Sequence, residues 1–168
     1  EKPIFLSEVS VLSCRIFEDW RGLDVQEKAW QNAMDNQLPI PLIAGTPELE
    51  QYQAEMTRDF YTLAFSHPLV ESITWWTITD LDPWRGMPSG LLSVDGELKP
   101  VYFVLDELMN QQWNTSEKGE LSDQAMFDFR GFYGSYEVAI NIDGQSYLGC
   151  FEATKGEDGI LKVTVYEH

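Results

Sequence analysis

Hydrophobic and polar positions change their spacing twice along the chain, and each change marks a different kind of element. After Pro3 the run IFLSEVSV is apolar and β-branched, which reads as a buried strand of the parallel-sheet kind. A long connection follows, Arg15 to Gly45. Within it a short helix is predicted over 25–35, with Val25, Ala29, Trp30, Ala33 and Met34 on one side, while Pro39 and Pro41 keep 38–45 out of regular helix. Trp20 and Trp30 either line a site in this connection or pack it down.

Thr46 and Pro47 start a clear helix, with a hydroxyl cap, proline at the first helical position, and Glu48 and Glu50 where the helix dipole favours them. Leu49, Tyr52, Met56, Phe60 and Leu63 recur every three or four residues, so that face is expected in the core. Ser66-His67-Pro68 ends the helix, and His67 reads as a terminal-turn residue rather than a catalytic one.

The stretch ITWWTITDLDPW, Ile73 to Trp84, opens as a strand and closes as an aromatic, acidic loop. Gly86 to Lys99 is rich in turn signals. Pro100 begins a second helix to about Trp113, with Val101, Val104, Leu105 and Leu108 on its buried side. Strand, helix, strand, helix points to parallel α/β architecture.

From Ala125 the period becomes two. Tyr136, Val138, Ile140 and Ile142 fall on one face, followed by a turn at Asp143-Gly144, a strand from Tyr147 to Thr154, a turn over 156–159, and Leu161, Val163 and Val165. This predicts a small antiparallel β domain over 125–168. The polar run 114–124 is the expected linker between it and residues 1–113.

Charge narrows the function. Against 11 Lys and Arg stand 28 Asp and Glu, a net charge of −17, so nucleic acid and anionic membrane surfaces are repelled. No apolar run approaches the roughly 18 residues needed to span a bilayer. The first residue is Glu rather than Met, which reads as a start cut away or left out. Cys14 and Cys150 show no metal-ligand spacing; they either pair in an oxidising compartment or are buried free thiols. No metal or cofactor is implied. Asn114-Thr115-Ser116 fits a glycosylation sequon.

Candidate chemistry gathers in two places. Three tryptophans and two aspartates within Ile73 to Trp84 exceed what a core strand needs, and suit a surface for a flat, hydroxyl-rich ligand such as a sugar. Glu8 stands inside an apolar strand, where a carboxylate must either turn to solvent or be held by partners at the mouth of a sheet or barrel. Alternation sends Trp75 to the side opposite Trp76, toward the flanking helices.

In this order and at these separations, IFLSEVSV, ITWWTITDLDPW and the helix start Leu98-Lys99-Pro100-Val101-Tyr102 resemble the last quarter of a glycoside hydrolase family 10 catalytic domain, the xylanase family. The tail FRGFYGSYEVAI resembles the short β extension after that barrel in plant-type and some bacterial members. The resemblance implies an α/β fold made of the last two βα units of a TIM (β/α)8 barrel, followed by the small antiparallel β domain. It implies that Glu8 is the nucleophile of a retaining glycosidase, that Trp76 and Trp84 wall the sugar subsite beside the cleaved bond, and that Arg85 lies near the same pocket. Ser10 stands where the family has an acid that orients a histidine, Thr77 where it has glycine, and Pro83 where it has serine.

Two of eight barrel strands are expected here, with the acid/base glutamate before Glu1, so the chain alone is expected to be inactive. The expected partners are a β-1,4-linked polysaccharide, xylan first, and the rest of the barrel or another chain, in a secreted setting. The alternative is a non-catalytic carbohydrate-binding or structural protein derived from that family.

Overall fold

Two parallel strands, β1 (Ile4–Val9) and β2 (Val70–Trp75), form the sheet of the first half of the molecule. The computed structural model describes residues 2–15, 20–156 and 159–168, and the side chains of Trp20 and Arg21 lie outside that description. Contacts divide the chain into Glu1–Asn110 and Gln111–His168.

In the first unit, α1 (Trp20–Asn36) and α2 (Pro47–Ser66) lie between the strands in sequence. A tight turn at Trp84–Gly86 and α3 (Pro100–Glu107) follow β2, and α3 runs on into a wider π-type turn, Leu108–Gln112. Thr46 caps α2: its Oγ1 accepts from the Leu49 N–H at 3.3 Å, satisfying a donor the helix cannot. At the other end the His67 N–H donates to the Ala64 carbonyl at 3.1 Å.

Helix α2 buries a different face from the one its apolar stripe predicts. Tyr52, Met56, Phe60 and Leu63 are exposed, whereas Gln53, Ala54, Thr57, Tyr61 and Ala64 are buried. The reason is close approach. Ala54, Thr57 and Ala64 are small enough to bring the helix near its neighbours, and Tyr61 reaches Trp75 of β2 with ring centroids 6.4 Å apart. Gln53 Nε2 donates to the Val11 carbonyl at 2.7 Å, which fixes the helix against the segment after β1. Arg58 pairs with Glu107 of α3 at 2.7 Å.

The same correction applies to α1 and β1. Of the residues placed on one side of α1, Val25 and Met34 are exposed and Ala33 is buried, while Gln26 is buried as well and Leu23 and Trp30 are half-buried. Strand β1 pairs in parallel with β2 as expected, but only Leu6 and Val9 are partly covered, and Phe5 is open to solvent. A parallel strand is buried only where neighbours flank it and helices cover both faces; β1 has one strand neighbour among the described residues.

The second unit is built on a hairpin, β3 (Gly134–Ile142) with β4 (Gln145–Ala153), in continuous antiparallel register from Gly134↔Ala153 to Ile142↔Gln145. Asp143 and Gly144 both have positive φ, 51° and 85°, the two-residue turn whose twist matches a hairpin. Tyr136 and Phe151 stack across it at 4.9 Å, and Phe129 meets both edge-on. The strand expected at Leu161 to Val165 pairs later than predicted, as β5 (Tyr166–Glu167); the expected turn at 156–159 includes residues 157 and 158, which lie outside the described residues. The polar run 114–124 lies with this unit: Thr115 Oγ1 accepts from the Phe132 N–H at 3.1 Å, and residues 115–123 wall a cleft with β3. Both cysteines are free. Cys14 is buried as expected, but Cys150 is exposed, because it falls on the open face of the hairpin.

Candidate functional site

The site begins with an irregularity in β1. Leu6 pairs with Ile73 and Val9 with Trp75, leaving two residues between the pairs on one strand, Ser7 and Glu8, against one on the other, Thr74. The extra residue is a bulge at Ser7–Glu8. Both bulged residues are exposed while Leu6 and Val9 on either side are partly covered. A bulge re-aims side chains that a regular strand would alternate, and here it turns Glu8 to solvent near the C-terminal end of its strand.

Trp76 follows directly. Its N–H donates to the Val9 carbonyl at 2.9 Å, so its backbone lies against the residue after Glu8, and its indole is 54% exposed. Trp75 faces the other way, packing on Tyr61, with its Nε1 donating to the Thr77 carbonyl at 2.8 Å.

Trp84 and Arg85 sit together on the turn that closes the loop. Trp84 is 52% exposed, and the Arg85 guanidinium carbon lies 4.1 Å from its ring centroid. Arg85 has φ 55° and ψ 25°, a left-handed conformation that costs a non-glycine residue about 1–2 kcal/mol. Helix α1 holds it there. Gln26 Nε2 donates to the Arg85 carbonyl at 2.7 Å and to the Pro41 carbonyl at 2.9 Å; Glu27 pairs with the guanidinium; and Trp30 lies 5.4 Å from it. Gly86 must be glycine, since its φ is 75° and a Cβ there would collide with the Pro41 carbonyl.

Beneath the loops lies a buried polar network. Lys99 Nζ, on a residue 2% exposed, donates to Asp80 Oδ2 at 2.7 Å and to Ser13 Oγ at 2.9 Å. Asp80 Oδ1 accepts the Gly90 N–H at 2.6 Å, and the Ser13 hydroxyl reaches the Pro88 carbonyl at 3.3 Å. This ties the segment after β1, the loop after β2 and the start of α3 at one point. Its neighbour Cys14 has its thiol pushed up to about 11, by burial first and then by the Asp80 carboxylate, with Lys99 opposing.

Of the residues singled out in the sequence, Trp84 and Arg85 touch, and Trp76 is tied by its backbone to the strand of Glu8. Trp30 backs Arg85, and the Trp20 side chain lies outside the described residues. His67 caps α2, with Nδ1 accepting from the Leu69 N–H at 3.2 Å. Gln26, Glu27, Ser13, Asp80 and Lys99 were not legible as site residues, since their partners are 10 to 86 positions away. Lys99 offered one signal, a cation directly before a helix-starting proline in an apolar neighbourhood. Among the described residues no group of three His, Cys, Asp or Glu could hold a metal ion, and no helix is long and apolar enough to cross a membrane.

Comparison with known proteins finds similarity over part of the chain. It is 31% identical over 97 residues, 58% of its length, to endo-1,4-beta-xylanase 2 of Arabidopsis thaliana, and 32% identical over 98 residues to endo-1,4-beta-xylanase 3 of the same plant. The relation is xylanase-like. The chain is also 33% identical over 100 residues, 60% of its length, to the anti-sigma-I factor RsgI6 of Acetivibrio thermocellus. These alignments span 9% to 13% of the relatives' own lengths. No family model matches the chain.

Proposed function

We propose that the chain is part of a retaining glycoside hydrolase of the family 10 kind, acting on a β-1,4-linked plant polysaccharide, xylan first, outside the cell that makes it. The observation that carries this is the similarity to the two endo-1,4-beta-xylanases. In this proposal residues of the first unit are the last two βα units of a TIM barrel, followed by a small antiparallel β domain. The parallel β1–β2 pair supports it, as do the apolar stripe of α2 and the open strand edges, which the rest of a barrel would cover.

Glu8 is the proposed nucleophile. Its bulged, exposed position at the C-terminal end of a parallel strand is where such barrels keep their chemistry. It attacks the anomeric carbon while a second carboxyl, about 5 Å away in retaining enzymes, protonates the leaving oxygen and then activates water. That second carboxyl comes from residues outside these 168. Trp76 and Trp84 are the proposed sugar wall, their exposed indole faces suiting the apolar face of a pyranose; Arg85 lies beside it.

Incubating the chain with xylan and measuring reducing sugar tests the division of labour. No turnover is expected from the chain alone. Turnover abolished in Glu8→Gln would show that the second carboxyl lies within it.

A second reading is carbohydrate binding without hydrolysis, supported by the exposed indoles of Trp76 and Trp84. Under that reading Trp76→Ala and Trp84→Ala weaken oligosaccharide binding by the chain, and Glu8→Gln leaves that binding unchanged.

A further inference from the structure

We propose that α1 is a clamp for the Trp84 indole, with Gln26, Glu27 and Arg85 as its positioning residues, so that sugar affinity at Trp84 is set by a helix in the β1–α2 connection. This rests on the reading of Trp84 as a sugar wall.

A single helical turn of α1 supplies three contacts to one residue. Gln26, buried, grips the Arg85 backbone carbonyl; Glu27 ion-pairs with the guanidinium; and Trp30, three residues on, offers its ring to the same group. The guanidinium thereby lies over two indoles, its carbon 5.4 Å from the Trp30 centroid and 4.1 Å from that of Trp84. Arg85 has a left-handed backbone that a free loop would relax, and the Gln26 hydrogen bond and the Glu27 pair oppose that relaxation.

The geometry gives Arg85 a role other than sugar contact. Its guanidinium is already committed to two indoles and to the Glu27 carboxylate, and its side chain is 28% exposed, whereas about half of Trp84 is open. A sugar stacking on a freely rotating indole must immobilise it, and an indole already stacked on a pinned guanidinium has less freedom to lose. Arg85 therefore acts through Trp84, and Glu27 acts through Arg85.

The test uses the 168-residue chain, xylohexaose as ligand and tryptophan emission as readout, with acrylamide quenching measured alongside. Trp84→Ala is expected to remove most of the binding. Glu27→Gln is expected to weaken it roughly threefold and Arg85→Met roughly tenfold, the span of cation–π and partly exposed ion-pair contributions. The double variant binds no more weakly than Arg85→Met alone, and Arg85→Met makes Trp84 more accessible to acrylamide. Arg85→Lys keeps the pair with Glu27 but not the flat group, and guards against a folding defect: it keeps the wild-type melting temperature yet does not recover full affinity. Wild-type affinity in Glu27→Gln and Arg85→Met, with loss in Trp84→Ala, overturns the clamp and leaves the wall standing. Additive losses in the double variant overturn the coupling of Glu27 to Arg85. Unchanged affinity in Trp84→Ala overturns the wall and the clamp together.

Discussion

Lys99→Met is the sharpest perturbation of the site's foundation. It keeps an unbranched side chain that fills most of the same space and removes the ammonium group. At 2.7 Å, with an effective dielectric constant of 20, the attraction between Lys99 and Asp80 is about 6 kcal/mol before either ion's desolvation is counted. The variant leaves Asp80, 5% exposed, as a buried carboxylate with the Gly90 N–H at 2.6 Å. Removing one partner of such a pair costs about 3–5 kcal/mol, because the other charge stays buried. Asp80→Asn is expected to cost a similar amount, stranding the ammonium on Ser13. Lys99→Met/Asp80→Asn buries no charge, so its loss should fall short of the summed single losses by at least about 2 kcal/mol. Urea unfolding at neutral pH, followed by tryptophan emission, measures all three, since five of the six tryptophans lie in the first unit. If Lys99→Met is too unstable to fold, a cooperative transition regained in the double variant reports the same coupling. A loss below about 1 kcal/mol in Lys99→Met, or strictly additive losses, would refute the network as a buried ion pair.

Two further predictions concern groups that titrate. Burial holds the Cys14 thiol at about 11 against an ordinary 9.0, and the Tyr61 hydroxyl at about 12 against 10.0. Both folded values are raised, so the unfolded chain loses these protons first: the stability they contribute is whole below pH 9 and is lost as pH rises toward 12. Urea midpoints between pH 9 and 10 should fall less steeply in Cys14→Ala than in the wild-type chain; parallel curves would assign the alkaline loss elsewhere. Tyr61 has no hydrogen-bond partner for its buried hydroxyl among the described residues, so Tyr61→Phe should be neutral or stabilise by up to about 1 kcal/mol in the same assay. A comparable destabilisation would mean that the hydroxyl is satisfied.

The sequence by itself determined what depends on neighbours in the chain. Thr46-Pro47 set the start of α2, Asp143-Gly144 set the β3–β4 turn, and the change from helical to alternating spacing set apart the second unit, because caps, turns and periodicity act over a few residues. Alternation also sent Trp75 and Trp76 to opposite sides. Which face of each helix is buried was left to the tertiary structure. On α2 the small residues and Gln53 face the neighbouring elements, where the backbones approach closely, and the larger apolar ones face away from them. On α1, Gln26 is buried because a carbonyl 59 positions later needs its amide. The bulge at Glu8 could not be read from β1 alone, because a bulge exists only relative to a partner's register. The tryptophans announced a site through their number, but Gln26, Glu27, Asp80, Lys99 and Ser13, which hold its loops, are ordinary polar residues that gain meaning only when folding brings their distant partners within 3 Å.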